Sequence, residues 1–203
     1  MSLIWISGVA AVGKSTITHL LENKVKDYYG GKDGVSGDLG FKSNKAYKIP
    51  FRTYGNTMII GREGQVLNGT DSVYLGTTKI PMLLTTYYYM WKDMFLPNII
   101  IEGNKFISDG KIHSHMIRKN IEYKMYYLKV PMEILDERSK KRDNGYDRNN
   151  RTRSLVEKEL KKYDEVISKY KSNVEIRSSQ TWEDCENIAT EIFESLNLMD
   201  LPK

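Results

Sequence analysis

Leu3-Ile4-Trp5-Ile6-Ser7 leads directly into Gly8-Val9-Ala10-Ala11-Val12-Gly13-Lys14-Ser15-Thr16 near the start of this 203-residue chain. The second stretch has the pattern G-x-x-x-x-G-K-S and lies between an apolar strand pattern and a helix pattern. Its two glycines let the backbone turn through conformations closed to other residues, so that N–H groups and the following helix N-terminus point toward an anion. We therefore predict that residues 8–16 form a phosphate-binding loop for a nucleoside triphosphate.

The residues of this predicted loop have separate roles. Lys14 supplies a mobile positive charge for the β and γ phosphates, and the Ser15 hydroxyl is the usual magnesium ligand of such loops. The pattern thus implies ATP and Mg²⁺ as cofactors, and the alternative is a glycine-rich turn that binds nothing. The predicted nucleotide-binding residues are Gly8, Ala11, Gly13, Lys14, Ser15 and Thr16.

Size and composition favour a single α/β domain over residues 1–203. The chain is 40% hydrophobic, which is enough for one full core. No apolar run approaches about eighteen residues, so the sequence predicts neither a membrane span nor a signal peptide, and we expect a cytoplasmic protein. Cys185, the only cysteine, lies in a helical apolar pattern and is predicted to be buried.

Positive charge is concentrated in one segment of the chain. The formal net charge is +5, and residues 138–153 alone hold seven basic and two acidic side chains, so the remainder is balanced. Either an anionic ligand at this segment or a solvated helix face accounts for such a cluster. Arg138 and Arg142 are four residues apart, which places both on one face of a helix.

The order of predicted elements is that of a mostly parallel sheet covered by helices on both faces. Predicted strands lie at 3–7, 57–60, 98–102, 124–130 and 173–176, and predicted helices begin near residues 14, 81, 111, 131, 154 and 182. Residues 30–56 are predicted to be irregular apart from a short strand at 46–51. The expected fold is three-layer α/β with a five-stranded sheet.

The remainder of the chain discriminates among the protein classes that carry such a loop. It has no D-x-x-G strand end and no N-K-x-D loop, both of which a GTPase would have. The apolar strand 98–102 ends in Glu102 followed by Gly103, not in the Asp or Asp-Glu of a motor ATPase. This layout, with an acidic strand end and an arginine-rich segment, resembles the P-loop nucleoside and nucleotide kinases.

The resemblance implies a kinase-like P-loop fold, a substrate-binding insertion at about 30–78 and an arginine-rich lid at about 138–153. In those kinases the lid arginines clamp the transferring phosphoryl group, which would be the role of Arg138 and Arg142. By the same pattern Arg138 lies over the ATP base. Glu102 would bind magnesium-coordinated water or orient Lys14, and a structural role is the alternative.

Three segments carry a closer resemblance: Gly61-Arg62-Glu63-Gly64, Asn68-Gly69-Thr70-Asp71-Ser72 and Ile99-Ile100-Ile101-Glu102-Gly103-Asn104. They look like a bacteriophage group of P-loop kinases that phosphorylate the hydroxymethyl group of 5-hydroxymethyluracil in DNA. The resemblance implies substrate-binding roles for Arg62, Thr70, Asp71 and Glu102.

The reaction implied is in-line attack of a primary hydroxyl on the γ-phosphorus, with a carboxylate accepting the hydroxyl proton. Asp71 is the first candidate for this base, and Asp38, also a candidate substrate-binding residue, is the second. Both lie in turn-forming sequence, so a turn carboxylate is the alternative for each.

Three functions stay open at this point. The first is a kinase of a hydroxymethylated pyrimidine in DNA. The second is a kinase of free nucleosides, nucleoside monophosphates or another small hydroxyl compound. The third is a P-loop ATPase or a nucleotide-binding regulator that binds nucleic acid through the basic segment.

Overall fold

A computed structural model describes residues 2–31, 34–41, 47–60, 98–103, 110–143 and 153–198. Within these residues seven strands and five α-helices are present. The strands are β1 Ser2–Ser7, β2 Val35–Phe41, β3 Tyr47–Tyr54, β4 Thr57–Ile60, β5 Asn98–Glu102, β6 Tyr123–Lys129 and β7 Val174–Ser178. The helices are α1 Lys14–Tyr28, α2 Gly110–Arg118, α3 Met132–Asp143, α4 Arg153–Lys169 and α5 Trp182–Glu194. In this part of the chain no helix is long and apolar enough to cross a membrane.

The strands form one sheet in the order β2-β3-β4-β5-β1-β6-β7. The five strands from β4 to β7 in this order pair in parallel, whereas β3 pairs antiparallel with both β2 and β4. The predicted α/β class with a mostly parallel sheet is confirmed, and the sheet has seven strands where five were expected. The two additional strands come from residues 35–54, most of which were predicted to be irregular.

The alternation of side chains along β1 and β6 separates two helical layers. On one face the Trp5 ring stacks on His113 of α2 at 5.4 Å, and the Tyr127 ring meets Tyr163 of α4 at 6.4 Å. On the other face Arg177 of β7 lies 6.0 Å from the Tyr126 ring and pairs with Glu191 of α5. Helix α1 joins this second layer, because its Tyr28 ring packs edge-on against Phe193 of α5. The arrangement is therefore three-layered.

A buried ion pair joins α1 to the antiparallel part of the sheet. The Arg52 guanidinium of β3 donates two hydrogen bonds to the Glu22 carboxylate of α1, and the Nη2–Oε2 bond is 2.7 Å long. The Tyr54 hydroxyl donates to the same carboxylate at 2.8 Å. Glu22 and Arg52 are only 5% and 8% exposed. This network fixes the helix that follows the predicted phosphate loop against β3.

His113 is enclosed by aromatic rings on the opposite face of the sheet. Its imidazole stacks on Tyr170 at 4.6 Å, and its Nδ1 lies 2.8 Å from the Tyr123 hydroxyl. Burial away from water disfavours the charged imidazolium and lowers the pKa of His113 to about 4. The folded protein therefore holds this histidine neutral.

We expect the free energy of unfolding to fall by about 2 kcal/mol between pH 7 and pH 4.5 through His113 alone. In the unfolded chain the imidazole recovers its ordinary pKa of 6.5, so the unfolded state gains a proton that the folded state does not take up until about pH 4. Stability from this group is thus complete above pH 6.5 and is lost as the pH falls. Urea unfolding of wild type and of H113F at both pH values measures this contribution. It equals the fall in the free energy of unfolding of the wild type minus the fall for H113F.

The matched control is H19Q, which changes an exposed histidine of α1. The free energy of unfolding of H19Q should fall with acid as that of the wild type does. An H113F protein whose stability falls as steeply with acid as the wild type would contradict a neutral, buried His113.

Candidate functional site

Residues 8–13 form a tight loop between β1 and α1. Gly8 and Gly13 have φ values of 144° and 104°, and Ala11 is also left-handed with φ 65°. A Cβ on Gly8 would lie 2.8 Å from the Leu128 carbonyl oxygen, so the close approach to β6 requires glycine there. The loop passes directly into the first turn of α1, whose N-terminal N–H groups favour negative charge. The local geometry is that of a phosphate-binding loop.

Lys14 is the first residue of α1, and its side chain folds back along the loop. Its ammonium group donates to the carbonyl oxygens of Gly8 and Val9, both at 3.0 Å. The residue is 7% exposed, so its charge is held at the loop rather than in bulk water. A phosphate bound to the loop N–H groups would lie within reach of this charge.

The predicted partners Ser15 and Glu102 are brought together. The Ser15 hydroxyl donates to Glu102 Oε1 at 2.7 Å, although the two residues are 87 positions apart. Glu102 ends β5, which pairs with β1 so that Glu102 lies opposite Ile6. The expectation that the acidic strand end neighbours the phosphate loop is thereby confirmed.

The end of β5 is also locked to β1 by hydrogen bonds. The Gly103 N–H donates to the Ile6 carbonyl at 3.1 Å, and the Ser7 hydroxyl donates to the Gly103 carbonyl at 2.7 Å. Glu102 is only 2% exposed, so its carboxylate has little freedom to move away from the loop.

The oxygens of Ser15 and Glu102 fit a magnesium ion. Mg²⁺ prefers hard oxygen ligands and is commonly held by one or two protein groups together with water and substrate phosphates. A hydroxyl and a carboxylate oxygen 2.7 Å apart beside a phosphate-binding loop provide that set. These two oxygens are therefore suitable ligands for a magnesium ion, and their metal-binding role stays a prediction.

Arg138 of α3 reaches the other side of the loop. Its Nη2 donates to the carbonyl oxygens of Ser179 and Gln180, at 2.8 and 2.7 Å, in the connection between β7 and α5. Its Nη1 lies 3.8 Å from the position that a Cβ on Gly13 would take. Arg142 is one helical turn further along α3, and its side chain lies outside the described residues. The structure therefore places Arg138 beside the loop, and the phosphoryl-clamping role of both arginines stays a prediction.

Two charges of the basic segment are paired locally. Lys141 pairs with Glu137 at 2.6 Å, one turn earlier on α3. Arg153, at the start of α4, pairs with Asp136 of α3 and Glu157 of α4 at 3.3 and 3.2 Å. The Lys141–Glu137 and Arg153–Glu157 pairs are exposed and the Arg153–Asp136 pair is partly exposed, as expected for a solvated helix face. The central part of the predicted lid at 138–153, residues 144–152, lies outside the described residues.

The candidate acceptor residues are described only in part. Arg62, Thr70 and Asp71 lie outside the described residues, so their roles stay predictions. Asp38 lies in β2 opposite Pro50, one register step beyond the row in which Phe51 pairs with Ile60. That step leads toward the carboxyl edge of the parallel strands, where the phosphate loop lies. Because β2 and β1 are four strand spacings apart in the sheet, the Asp38 backbone lies roughly 19 Å from β1 across the strands.

Sequence reasoning missed Ser179. Its hydroxyl donates to the Val12 carbonyl of the phosphate loop at 2.6 Å, and the residue is fully buried. The only signal was the hydroxyl-rich stretch Ser178-Ser179-Gln180-Thr181 directly after the last strand. Cys185 of α5, predicted to be buried, is 3% exposed and lies under Gly13, with its sulfur 3.4 Å from the position of a Cβ there.

No family model matches this chain, and no curated protein sequence matches it. Solved structures of similar architecture include the tunicamycin resistance protein of Deinococcus radiodurans, at 14% identity over 100% of this chain and 99% of that chain, with a TM-score of 0.48. Deoxyadenosine kinase from M. mycoides is similar at 14% identity over 96% and 100% of the two chains, with a TM-score of 0.47. A gluconokinase from Sinorhizobium meliloti 1021 is similar at 10% identity over 95% and 94%, also with a TM-score of 0.47. At these identities the activities of those proteins do not transfer to this chain.

Proposed function

We propose that this protein is an ATP-dependent kinase that transfers the γ-phosphoryl group to a hydroxyl. The observation that carries the proposal is the 2.7 Å hydrogen bond between Ser15 and Glu102, which joins a complete phosphate loop to an acidic strand end. The sequence has no N-K-x-D guanine-recognition loop and no strand that ends in D-x-x-G, both of which a GTPase would have. A phosphate loop with one nearby carboxylate and an arginine, Arg138, supplies the groups that phosphoryl transfer needs.

Each group has a distinct role in the proposed reaction. The loop N–H groups and the N-terminus of α1 hold the phosphates, and Lys14 neutralises charge that develops on them. Arg138 lies beside Gly13 and contributes a second cation at the donor site. Mg²⁺ at Ser15 and Glu102 would neutralise the phosphate oxygens when bound. Most of the rate enhancement then comes from position and charge.

The acceptor that the sequence favours is the hydroxymethyl group of 5-hydroxymethyluracil in phage DNA. Its support is the resemblance carried by residues 61–64, 68–72 and 99–104, the last of which includes Glu102 and Gly103 at the donor site. A base in duplex DNA must leave the stack before its substituent can reach ATP. Asp71, or Asp38 in β2, would accept the hydroxyl proton. On this proposal the chain is a single kinase domain with an acceptor-binding insertion near 30–78 and a lid near 138–153.

A kinase of free nucleosides, nucleoside monophosphates or another small hydroxyl compound is the second candidate. Charge favours it, because the chain outside residues 138–153 carries equal numbers of basic and acidic residues. A protein that binds polymeric DNA ordinarily has a basic surface that extends beyond one short segment of the chain.

One assay separates these candidates. The protein is incubated with γ-labelled ATP and Mg²⁺ together with DNA containing 5-hydroxymethyluracil, the corresponding free nucleotide, or unmodified DNA. Label on the modified polymer supports the DNA-base kinase, and label on the free nucleotide supports the second candidate. Release of free phosphate without transfer would overturn both and indicate an ATPase. Running the productive acceptor with D71N and D38N then identifies the base by the variant that loses turnover while retaining ATP binding.

We expect E102Q to raise the Mg²⁺ concentration needed for half-maximal activity by about tenfold or more. Glutamine keeps an oxygen that accepts the Ser15 hydroxyl, so the loop geometry is retained while the negative charge is lost. Titration of Mg²⁺ at saturating ATP measures the effect. The control is E186Q, which removes an exposed carboxylate of α5. If E102Q and wild type share one Mg²⁺ dependence, Glu102 has no metal-binding role.

A further inference from the structure

We infer that Ser179 is a positioning residue for nucleotide binding, and that it acts by holding the Val12 carbonyl of the phosphate loop. This inference rests on the proposed function, since it assigns a residue to the same donor site. Ser179 follows β7 and is separated from Val12 by 167 positions in the chain. Nothing in the loop motif itself includes it.

Three hydrogen bonds fix Ser179 in place. Its N–H donates to the carbonyl of Lys129 at the end of β6, at 3.3 Å. Its carbonyl accepts from Arg138 Nη2 at 2.8 Å, and its hydroxyl donates to the Val12 carbonyl at 2.6 Å. The residue is fully buried, so water does not compete for these bonds. Ser179 is therefore a rigid support that connects β6, α3 and the phosphate loop.

The Val12 carbonyl needs such a donor. In a phosphate loop the N–H groups face the anion, so the carbonyl groups face outward and must be satisfied by the surrounding protein. The carbonyls of Gly8 and Val9 accept from Lys14, and that of Gly13 accepts from the N–H of Ile17 at 3.1 Å. Val12 is 1% exposed, and its carbonyl accepts from Ser179. The Val12 carbonyl and the Gly13 N–H belong to one peptide group. Rotation of that group would turn the N–H of Gly13 away from a bound phosphate.

Ser179 and Cys185 both lie beside Gly13, the residue that follows Val12 in the loop. A Cβ there would lie 3.4 Å from the Cys185 sulfur and 3.8 Å from the Ser179 Cβ. The backbone of Gly13 is left-handed, with φ 104°. Ser179 and Cys185 thus lie next to the last peptide of the loop, and the Ser179 hydroxyl adds a hydrogen bond to the Val12 carbonyl.

The test is the affinity of the full chain for ADP, measured by titration calorimetry on wild type and S179A. Alanine removes the hydroxyl and leaves the Val12 carbonyl buried without this donor, so we expect ADP to bind about tenfold more weakly. In the kinase assay the KM for ATP should rise by a similar factor, while the KM for the acceptor changes less than twofold. A general loss of stability would not select one substrate in this way.

The matched control is S195A, at the end of α5. Its hydroxyl also donates to a backbone carbonyl, that of Ile192 at 2.7 Å, but away from the loop. We expect S195A to bind ADP within twofold of the wild type. S179C, which keeps the side-chain size with a weaker donor, gives a second measurement and should lose about threefold in affinity.

The outcomes separate the inference from the proposed function. Folded S179A that binds ADP as tightly as wild type would overturn the role of Ser179, and so would unfolded S179A together with S179C of wild-type affinity. A wild-type protein that binds ADP but transfers no phosphate would overturn the kinase proposal instead. In that case the ratio of ADP affinities still decides whether Ser179 positions the loop.

Discussion

K14A should lower the rate of phosphoryl transfer by about a thousandfold, the largest effect expected of any single substitution in this chain. Lys14 is the cation that the loop itself carries, and its ammonium is held 3.0 Å from the carbonyls of Gly8 and Val9. The negative charge that shifts toward the β–γ bridge during transfer would lose this partner. Initial rates with γ-labelled ATP and the productive acceptor measure the loss.

The control for this substitution is K24A on the same helix. It removes the same type of side chain ten residues further along α1, away from the loop. Its rate should stay within twofold of the wild type, and thermal unfolding of both variants verifies that each is folded. Transfer by K14A at more than a tenth of the wild-type rate would remove the phosphate loop from the mechanism.

R52M should destabilise the protein by about 3 to 5 kcal/mol. Methionine fills a similar volume but leaves the buried Glu22 carboxylate without its cation, and the Tyr54 hydroxyl at 2.8 Å only partly compensates. Uncompensated charge in the interior is much more costly than the loss of an exposed ion pair. Urea unfolding at pH 7 measures the change in the free energy of unfolding.

Two further variants define the origin of this loss. R177M breaks the pairs that Arg177 makes with Glu191 and Glu175, whose side chains are 37% and 41% exposed, and should cost about 1 kcal/mol or less. The double variant E22M/R52M removes both charges and should recover most of the stability that R52M loses. If R52M and R177M lower the free energy of unfolding equally, burial does not determine how much the Glu22–Arg52 pair stabilises the protein.

The sequence predicts the parallel core well because its signals are local. The strand at Thr57–Ile60 and the strand at Asn98–Glu102 are short apolar runs that end in glycine or loop residues, and the structure has both at the predicted positions. The phosphate loop is equally local, since all of its motif lies within nine consecutive residues. Hydrophobic pattern and motif spacing are sufficient for such elements.

The antiparallel strands β2 and β3 depend on pairing between distant residues, which the local sequence does not predict. Gly37, Gly40 and Pro50 disfavour strands locally, and β3 forms because it pairs along its length with β2 and at its end with β4. Non-local pairing overrides weak local preference here. The predicted short strand at 46–51 captured part of β3, and β2 was not predicted.

The candidate site divides in the same way. Lys14, Ser15 and Glu102 follow from the motif and from the expectation that two parallel strands are neighbours. Ser179 contacts the loop across 167 positions, and Arg138 reaches the β7–α5 connection across 41 positions, which no pattern in one sequence encodes. Supporting contacts of this kind become visible only when the chain is folded.

The position of β1 in the middle of the five parallel strands has a consequence for how the chain is made. Its two neighbours, β5 and β6, occupy residues 98–102 and 123–129, so β1 leaves the ribosome long before either partner exists. During that interval Leu3, Trp5 and Ile6 cannot be sheltered by the sheet that later buries them. Closing such distant pairs is slow, and exposed apolar strands attract other chains. In a nascent chain the apolar strand β1 therefore lacks both of its partner strands until β6 has been synthesised.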